Sequence, residues 1–292
     1  YNLNTHPLEF SSILSVFHRS FHKERAEGTA ERGFSSMIYL VIASFCLLGT
    51  TSAQQFAYAV DINQAGTPSS FDCLRQWART IFVRAYKPDE SGGIDFTALP
   101  NIKNAFNAGI GIEIFITPNP VSSKSAITQV DEAVNSLING GVSIKSLWIM
   151  VTSPINWGKN QAANFNFVNY AVQRIRARGI RPGVYTSIYD WAQITNWARL
   201  PGNDVMLWYW NVYAPGGGGE SPPNFSDFRP FGNWNSANVK QFGQAENVCG
   251  FTLNRDVYPA SSVAQKNITR SMIETNRIDV EENDIVVGTI GV

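Results

Sequence analysis

An alternation along the chain constrains the fold most: short runs rich in β-branched and aromatic residues are separated by stretches with helical spacing. The first unit is a strand at 57–62 (AYAVDI) followed by a helix at 69–78, with Ser69 or Ser70 as the N-cap. Further strands are predicted at 80–86, 110–117, 146–152, 181–187 and 205–213. The helices between them are predicted at 98–109, 125–141 and 161–179. Helices of this length allow right-handed crossovers, so the pattern predicts an α/β fold with a parallel sheet, open or closed.

The pattern changes after Tyr213. A loop rich in Gly and Pro follows, and the segments 238–244 and 249–258 are then predicted as strands with no helix between them. The glycine run within the loop, 216–219, lacks the Lys-Ser/Thr partner of a phosphate loop and is interpreted as a flexible flap or linker. The chain therefore predicts a (β/α) barrel that ends in β-structure alone. We leave residues 259–292 out of this barrel, as a C-terminal tail expected to be disordered.

The segment 37–53 indicates a secretory signal peptide. A short apolar run follows Met37 and ends in Thr51-Ser52-Ala53, a small-x-small cleavage pattern. A membrane span needs about 20 apolar residues, and this run is shorter. We expect cleavage after Ala53, a non-native or untranslated leader at 1–36, and a mature barrel at 54–258. The mature protein is then secreted, or lies in the lumen of secretory or lysosomal vesicles, with no membrane attachment.

The histidines and cysteines limit the chemistry of the mature chain. All three histidines precede it: His6, His18 and His22. Ser-His-Asp and Cys-His sites are therefore excluded, as are His-ligated metals, and we predict neither a metal nor a cofactor. Cys73 and Cys249 remain, and in a secreted chain they are predicted to form one disulfide; two free thiols are the alternative.

Charge and length narrow the class of partner. The net charge is zero, with 23 basic and 23 acidic residues, which argues against nucleic acid or an anionic membrane. The mature length of about 240 residues suits one barrel domain, and we expect a monomer. Asn224 and Asn267 begin N-x-S/T sequons and are candidate glycosylation sites.

Several segments, in this order and spacing, resemble glycoside hydrolase family 25, the muramidases. They are YAVDIN, FVRAY, LWIMVTSP, GVYTS, VKQF and CGFTLNRDVY, and the resemblance to the invertebrate and protist-type lysozymes found in nematodes spans about 58–258. It implies an irregular TIM-like barrel of the (β/α)5(β)3 kind. It also implies bacterial cell-wall glycan, peptidoglycan, as the partner, in innate defence or digestion.

The resemblance further implies which acids should act. Glycoside cleavage needs a protonated acid and a second carboxylate, and barrels hold such groups at the C-terminal ends of strands. The family's acid at the end of strand one corresponds to Asp61. Its Asp-x-Glu at the end of strand four corresponds to Met150 and Thr152, so both of those carboxylates are lost. A lysozyme frame without these acids is expected to be catalytically impaired, close to a pseudoenzyme.

Glu113 and Asp256 are the candidate substitutes. Glu113 lies in an apolar strand, either as an acid with an elevated pKa or as the partner of Arg84 in an ion pair. Near the C-terminus the family shows an Asp two residues before an Asn, whereas this chain reads Asn254-Arg255-Asp256, as if the two were exchanged. Which of them faces the cleft stays open at this point.

Two other aspartates have a structural alternative. Asp61 is interpreted either as a cleft acid or as a loop cap or partner of Arg84. Asp190, just beyond strand five, is interpreted as a helix N-cap rather than a catalyst.

Five aromatic residues on strands or strand ends are candidate glycan contacts, with core packing as the alternative: Trp148, Tyr185, Trp208, Trp210 and Tyr213. Trp208 and Trp210 share one side of their strand and Tyr209 takes the other. If that side is the barrel interior, the two tryptophans are the best candidates for a sugar platform.

Three hypotheses of function follow. The first is a glycan-binding pseudoenzyme, motivated by Met150 and Thr152. The second is an active muramidase that uses Asp61 with Glu113 or Asp256. The third is a non-catalytic signalling or structural scaffold.

Overall fold

A computed structural model describes residues 55–260 and 285–290. The expected leader and signal peptide, and the sequon at Asn267, lie outside the described residues. Within the described part, eight strands close a barrel: β1 Phe56–Ile62, β2 Thr80–Lys87, β4 Gly111–Ile116, β6 Ser146–Met150, β7 Arg181–Thr186, β8 Met206–Trp210, β9 Val239–Val248 and β10 Phe251–Pro259. Three short strands lie beside these: β3 Gly93–Ile94, β5 Val142–Ile144 and β11 Ile285–Val287. No helix in the described ranges is long and apolar enough to cross a membrane.

Five α-helices alternate with the parallel strands in the described part of the chain: α1 Pro68–Leu74, α2 Ala98–Asn107, α3 Ala126–Asn139, α4 Gln161–Ala177 and α5 Ile188–Thr195. The N-cap of α1 is Thr67, so the prediction of Ser69 or Ser70 was wrong. Pro68 explains the earlier start, because its fixed φ suits the first helical turn. The Thr67 side chain accepts the Ser70 backbone N–H, a donor that the helix itself leaves unsatisfied.

The sheet closes because β1 pairs with β2 on one side, in parallel, and with β10 on the other, antiparallel. The first five barrel strands are each followed by a helix and the last three are not, which confirms the expected (β/α)5(β)3 barrel. β9 needs no crossover helix to reach β10, since a two-residue turn joins them. Both turn residues, Cys249 and Gly250, have positive φ (54° and 84°), as tight hairpins require.

The predicted disulfide between Cys73 and Cys249 is confirmed, with 5.7 Å between the two Cα atoms. It ties α1 to the β9–β10 turn across 176 residues of sequence. The link therefore joins the first helix of the barrel to its last hairpin.

Aromatic side chains fill the barrel interior. Phe82, Phe115, Trp148 and Trp208 are at most 1% exposed and contact one another through their rings. The neighbouring strand β7 makes room for Trp148, because a Cβ on Gly183, its partner in the register, would lie 2.2 Å from the Trp148 ring. The barrel is therefore a packed core rather than a pore, and a binding site must lie at one of its ends.

Residues 259–292 were left out of the barrel and expected to be disordered, but Pro259 is the last residue of barrel strand β10, and 285–290 form an ordered segment against the barrel. β11 pairs in parallel with β5, and the Gly288 backbone N–H donates to Ile112 O at 2.8 Å. Ile290 is 2% exposed and packs with the interior residues of the barrel. The apolar segment 285–290 thus covers the amino end of the barrel, because burial of its side chains favours docking there.

Candidate active site

Asp61 stands near the end of β1, at the carboxyl end of the barrel, and is 5% exposed. Its Oδ1 accepts a hydrogen bond from Asn254 Nδ2 at 2.9 Å, and its Oδ2 accepts one from Gln241 Nε2 at 2.7 Å. Arg84 instead pairs with Asp95 at 2.8 Å, so the interpretation of Asp61 as a partner of Arg84 was wrong. Burial raises the pKa of Asp61 to about 7, although both amide donors oppose this shift.

Asp256 lies on the same inward face as Asn254, one pleat deeper in the barrel. The register pairs Asp61 with Asn254 and Ala59 with Asp256. Asp256 Oδ1 accepts from Trp208 Nε1 at 2.8 Å, while Oδ2 is buried without a hydrogen-bond partner among the described residues. Burial, and next the charge of Asp61, raise the pKa of Asp256 well above its usual range. The question left open by the sequence is thereby answered: both residues face inward, and the amide lies nearer the cleft.

Gln241 on β9 connects the aspartates to Tyr185 on β7. Its amide donates to Asp61, and its Oε1 accepts the Tyr185 hydroxyl at 2.7 Å. These two bonds fix which end of the amide faces which neighbour. Burial, and next the negative charge of Asp61, raise the pKa of Tyr185 well above its usual range, so its hydroxyl remains a donor.

A further buried carboxyl, Asp190, lies at the same end of the barrel. Its Oδ2 accepts from Trp210 Nε1 at 2.7 Å and from Ser187 Oγ at 3.1 Å. The N-cap of α5 is Ser187, so the prediction of Asp190 as the cap was wrong. Asp190 instead occupies the first turn of the helix and points to the end of β8. Burial raises the pKa of Asp190 above its usual value, against its hydrogen bonds.

Met150 and Thr152, the two positions where the family resemblance implies acids, lie at this end of the barrel as well. Met150 is the last residue of β6, and its sulfur accepts a hydrogen bond from Thr117 Oγ1 at 3.4 Å. Thr152 follows in the loop, half-buried, and its backbone oxygen accepts Trp157 Nε1 at 3.0 Å. Neither side chain can donate a proton near neutral pH, so these positions supply no acid.

Glu113 belongs to the other end of the barrel. Its Oε2 accepts Ser146 Oγ at 2.7 Å and Trp148 Nε1 at 3.0 Å. Its Oε1 accepts the backbone N–H groups of Thr289 and Ile290 at 2.6 and 2.7 Å. The predicted ion pair with Arg84 was therefore wrong, and so was its alternative role as a substitute acid, because Glu113 is 0% exposed and faces the docked C-terminal segment. Burial raises the pKa of Glu113, although the hydrogen bonds from all four donors lower it in part.

The five predicted glycan contacts divide by burial. Trp148 and Trp208 are 0% exposed, so their prediction as sugar contacts was wrong; each packs in the interior and donates to a buried carboxylate. Tyr185 is 4% exposed and serves the Gln241 network. Trp210 is half-buried at the barrel end, and Tyr213 is 73% exposed just beyond it. Trp210 and Tyr213 are therefore exposed enough to contact a ligand.

The roles of two members of the site could not be predicted from the sequence. Gln241 lies in VKQF, a segment that carries the family resemblance, but its role depends on Asp61, 180 residues away along the chain. Asp190 carried the signal of a helix start, which concealed its bond to Trp210. Asn224, the remaining sequon, uses its Oδ1 to accept from the Ser226 N–H and hydroxyl, and its glycosylation stays a prediction.

These groups define a class of site. Asp61 and Asp256 are two interacting carboxyl groups in a dry environment, and such a pair holds protons at a pH where isolated aspartates are ionised. Asp190 adds a third protonatable group near Tyr185. The molecule is thus an irregular α/β barrel with an acid-rich site at the carboxyl ends of its strands, the end at which barrel enzymes hold their functional groups.

Comparison with known proteins identifies the family. A family model described as lysozyme-like protein 1 matches residues 52–242. Lysozyme-like protein 7 of Caenorhabditis elegans is 50% identical over 71% of this chain and 74% of its own length. Probable GH family 25 lysozyme 2 of Dictyostelium discoideum is 31% identical over 76% of this chain and 99% of its own length. The chain therefore belongs to the lysozyme-like proteins of glycoside hydrolase family 25.

The solved structures agree with the fold. A family GH25 lysozyme from Aspergillus fumigatus superposes with a TM-score of 0.56 at 15% identity, over 72% of this chain and 98% of the other. At this identity the similarity shows a shared backbone fold only. This shared fold confirms the barrel that the sequence predicts.

Proposed function

We propose that this protein binds bacterial cell-wall peptidoglycan at the carboxyl end of its barrel and is impaired in hydrolysing it. Membership of a lysozyme family supports the ligand. The observation that carries the impairment is the pair Met150 and Thr152 at the strand end where the family resemblance implies two acids. Removal of a group that works in acid–base catalysis costs about 10²–10⁴ in rate, and here two such groups are absent.

The remaining carboxyls are poorly arranged for replacement. Asp61 and Asp256 influence each other directly, whereas glycosidase acids flank a sugar at about 5–10 Å. The Asp256 carboxyl is fully buried beside Asp61, so a substrate has no access to it. Both oxygens of Asp61 already accept hydrogen bonds from amides. Such a site suits binding and orientation better than proton transfer to a leaving group.

The experiment combines binding with lysis. Mature protein is incubated with insoluble peptidoglycan for pull-down and with bacterial walls for a turbidity assay. We expect binding without clearing for the wild type, and clearing in a Met150→Asp, Thr152→Glu double variant. Rapid clearing by the wild type that Asp61→Asn abolishes would overturn the impairment. Absence of any pull-down would instead favour the third hypothesis, a scaffold without glycan binding.

A second candidate function, hydrolysis through Asp61 and Asp256, has one observation in its favour. Burial holds the pKa of Asp61 at about 7, which suits a general acid near neutral pH. In this case clearing by the wild type should be lost equally in Asp61→Asn and Asp256→Asn. A wild type that clears walls while both variants retain that rate would exclude this pair.

We also propose secretion, a monomeric state and a role in defence or digestion. The disulfide supports an oxidising compartment, where such bonds persist. Expression of the chain in a secreting cell should release a protein whose first residue is Gln54. Retention in the cytosol with reduced Cys73 and Cys249 would contradict secretion, and a dimeric mass in solution would contradict the monomer.

A further inference from the structure

A cavity of about 550 Å³ opens beside the barrel end, between the start of α5, the end of β8 and the loop at 226–231. Among the residues that line it, Trp210 was predicted from the sequence as a glycan contact. It is large enough for a group of several heavy atoms, comparable to the smaller ligand pockets of proteins. Trp210 lines it and also donates to Asp190, so the cavity adjoins the acid-rich site.

The walls of the cavity are aromatic on several sides. Tyr189 is 62% exposed at the first turn of α5, and Phe228 of the 226–231 loop is half-buried. Tyr209, which also lines the cavity, is 5% exposed. Flat apolar faces of this kind pack well against the body of a ligand, while specificity needs a few polar groups among them.

Asp227, the acidic residue of the cavity, is already neutralised by a buried partner. Asp227 Oδ2 accepts from Lys240 Nζ and Asn211 Nδ2, and Oδ1 accepts from Tyr209 Oη. Lys240 is 0% exposed, so its charge is committed to this contact. Burial opposes the ionisation of Asp227, but the combined bonds led by Lys240 outweigh it and lower the pKa of Asp227. The Asp227–Lys240 pair thus adds no net charge.

Arg229 is the remaining charge on the cavity wall. Its side chain is exposed, and it forms no ion pair with any residue in the described ranges. A guanidinium presents several N–H donors in a plane that fits a carboxylate with two parallel hydrogen bonds. The cavity therefore combines aromatic walls with one unpaired cation.

We propose that this cavity binds a carboxylate-bearing branch of the cell-wall ligand, with Arg229 as the residue that holds the carboxylate. The inference rests on the proposed function, because the ligand's glycan must lie across the neighbouring barrel end. Two parts of peptidoglycan carry such a group: the peptide stem, and the lactyl ether of muramic acid when no peptide is attached. Trp210 is shared by the two sites, so one ligand can contact both.

The test measures affinity by calorimetry for soluble fragments and the full chain. The probes are a disaccharide carrying a peptide stem with free carboxylates, the same compound with amidated carboxylates, a peptide-free disaccharide with a free lactyl carboxylate, and chitotetraose. Arg229→Gln should lower the affinity for the fragment whose peptide stem has free carboxylates about tenfold, as expected for the loss of a hydrogen bond to a charged group. It should leave chitotetraose and the amidated fragment unchanged. Arg229→Lys should restore part of the loss.

Arg199→Gln is the matched control, since Arg199 is exposed on the adjacent groove of about 280 Å³. Equal losses in both arginine variants, or equal affinity of wild type for the acid and amidated fragments, would overturn the cavity's role. An Arg229 effect confined to the peptide-free disaccharide would identify the lactyl carboxylate as the source. If chitotetraose, the fragments and insoluble peptidoglycan all fail to bind the wild type, the proposed function itself fails, which is a distinct result.

Discussion

Asn254 lies directly opposite Asp61 in the β10–β1 pair and donates from Nδ2 to Asp61 Oδ1 at 2.9 Å. The family resemblance implies an acid at the place of this amide, and an amide where Asp256 now lies. The exchange puts a hydrogen-bond donor beside Asp61 and moves the second carboxyl one pleat into the interior. The outcome is a site in which Asp61 is held in place, while its acidic neighbour is sealed from solvent.

The stability of the protein should fall as pH rises towards neutrality. Burial raises the pKa of Asp61 from 3.8 to about 7, so between these values the unfolded chain releases a proton that the folded chain keeps. The stabilisation is complete below the lower value and lost as pH rises through the upper one. Within this window the free energy of unfolding falls by up to about 1.4 kcal/mol for each pH unit and each proton released. Denaturant unfolding at successive pH values measures this slope.

Asp61→Asn should flatten that slope, because an amide does not titrate. Part of the slope should persist, since burial also raises the pKa of Asp256. Asp72→Asn, an exposed aspartate on α1, is the matched control and should leave the slope as it is. An Asp61→Asn variant with the full wild-type slope would contradict the protonation assigned to this residue.

Glu113→Gln should destabilise the protein by about 3 kcal/mol, because an amide cannot accept from all four donors and leaves buried N–H groups unsatisfied. Hydrogen exchange should quicken at 285–290, the segment that the carboxylate holds. Binding to peptidoglycan should be unchanged, since Glu113 faces the other end of the barrel. Loss of binding with unchanged stability would instead assign Glu113 to the glycan site.

Removal of the disulfide in a Cys73→Ser, Cys249→Ser variant should lower the free energy of unfolding by about 2–5 kcal/mol, because the bond closes a long loop in the unfolded chain. Thermal and denaturant unfolding measure the loss. A reducing agent should bring the wild type to the stability of the variant and leave the variant unaffected. Equal stability of oxidised and reduced wild type would contradict this role.

Tyr213→Ala should weaken the pull-down on peptidoglycan about fivefold, the effect of one aromatic contact of about 1 kcal/mol. Because Tyr213 is 73% exposed, its loss should change stability by less than about 0.5 kcal/mol. Tyr170→Ala, 53% exposed on α4 at the outside of the barrel, is the matched control and should bind as the wild type does. Equal weakening by both substitutions would exclude a specific contact at Tyr213.

The sequence by itself determined the barrel and the disulfide, while the loss of two acids is what the family resemblance implies. Strand and helix periods are local properties, so the alternation of elements follows from neighbouring residues, and (β/α)5(β)3 was confirmed. Strand parity also placed Trp208 and Trp210 on one side, as the structure has them. Parity identifies a face of a strand, but it does not reveal how deep in the barrel a residue lies.

Only the tertiary structure decided the partners of the buried polar groups. Glu113 meets Ile290 across 177 residues of sequence, and Asp61 meets Gln241 across 180. Such contacts depend on how strands stack around the barrel and on where the chain's end docks, which no local pattern encodes. The pKa of a buried carboxyl, and therefore its protonation state, depends on those neighbours and on how deeply it is buried. For that reason the sequence could name Asp61, Glu113 and Asp256 as candidates, while only the folded barrel could separate the acids of the site from the one that anchors the C-terminal segment.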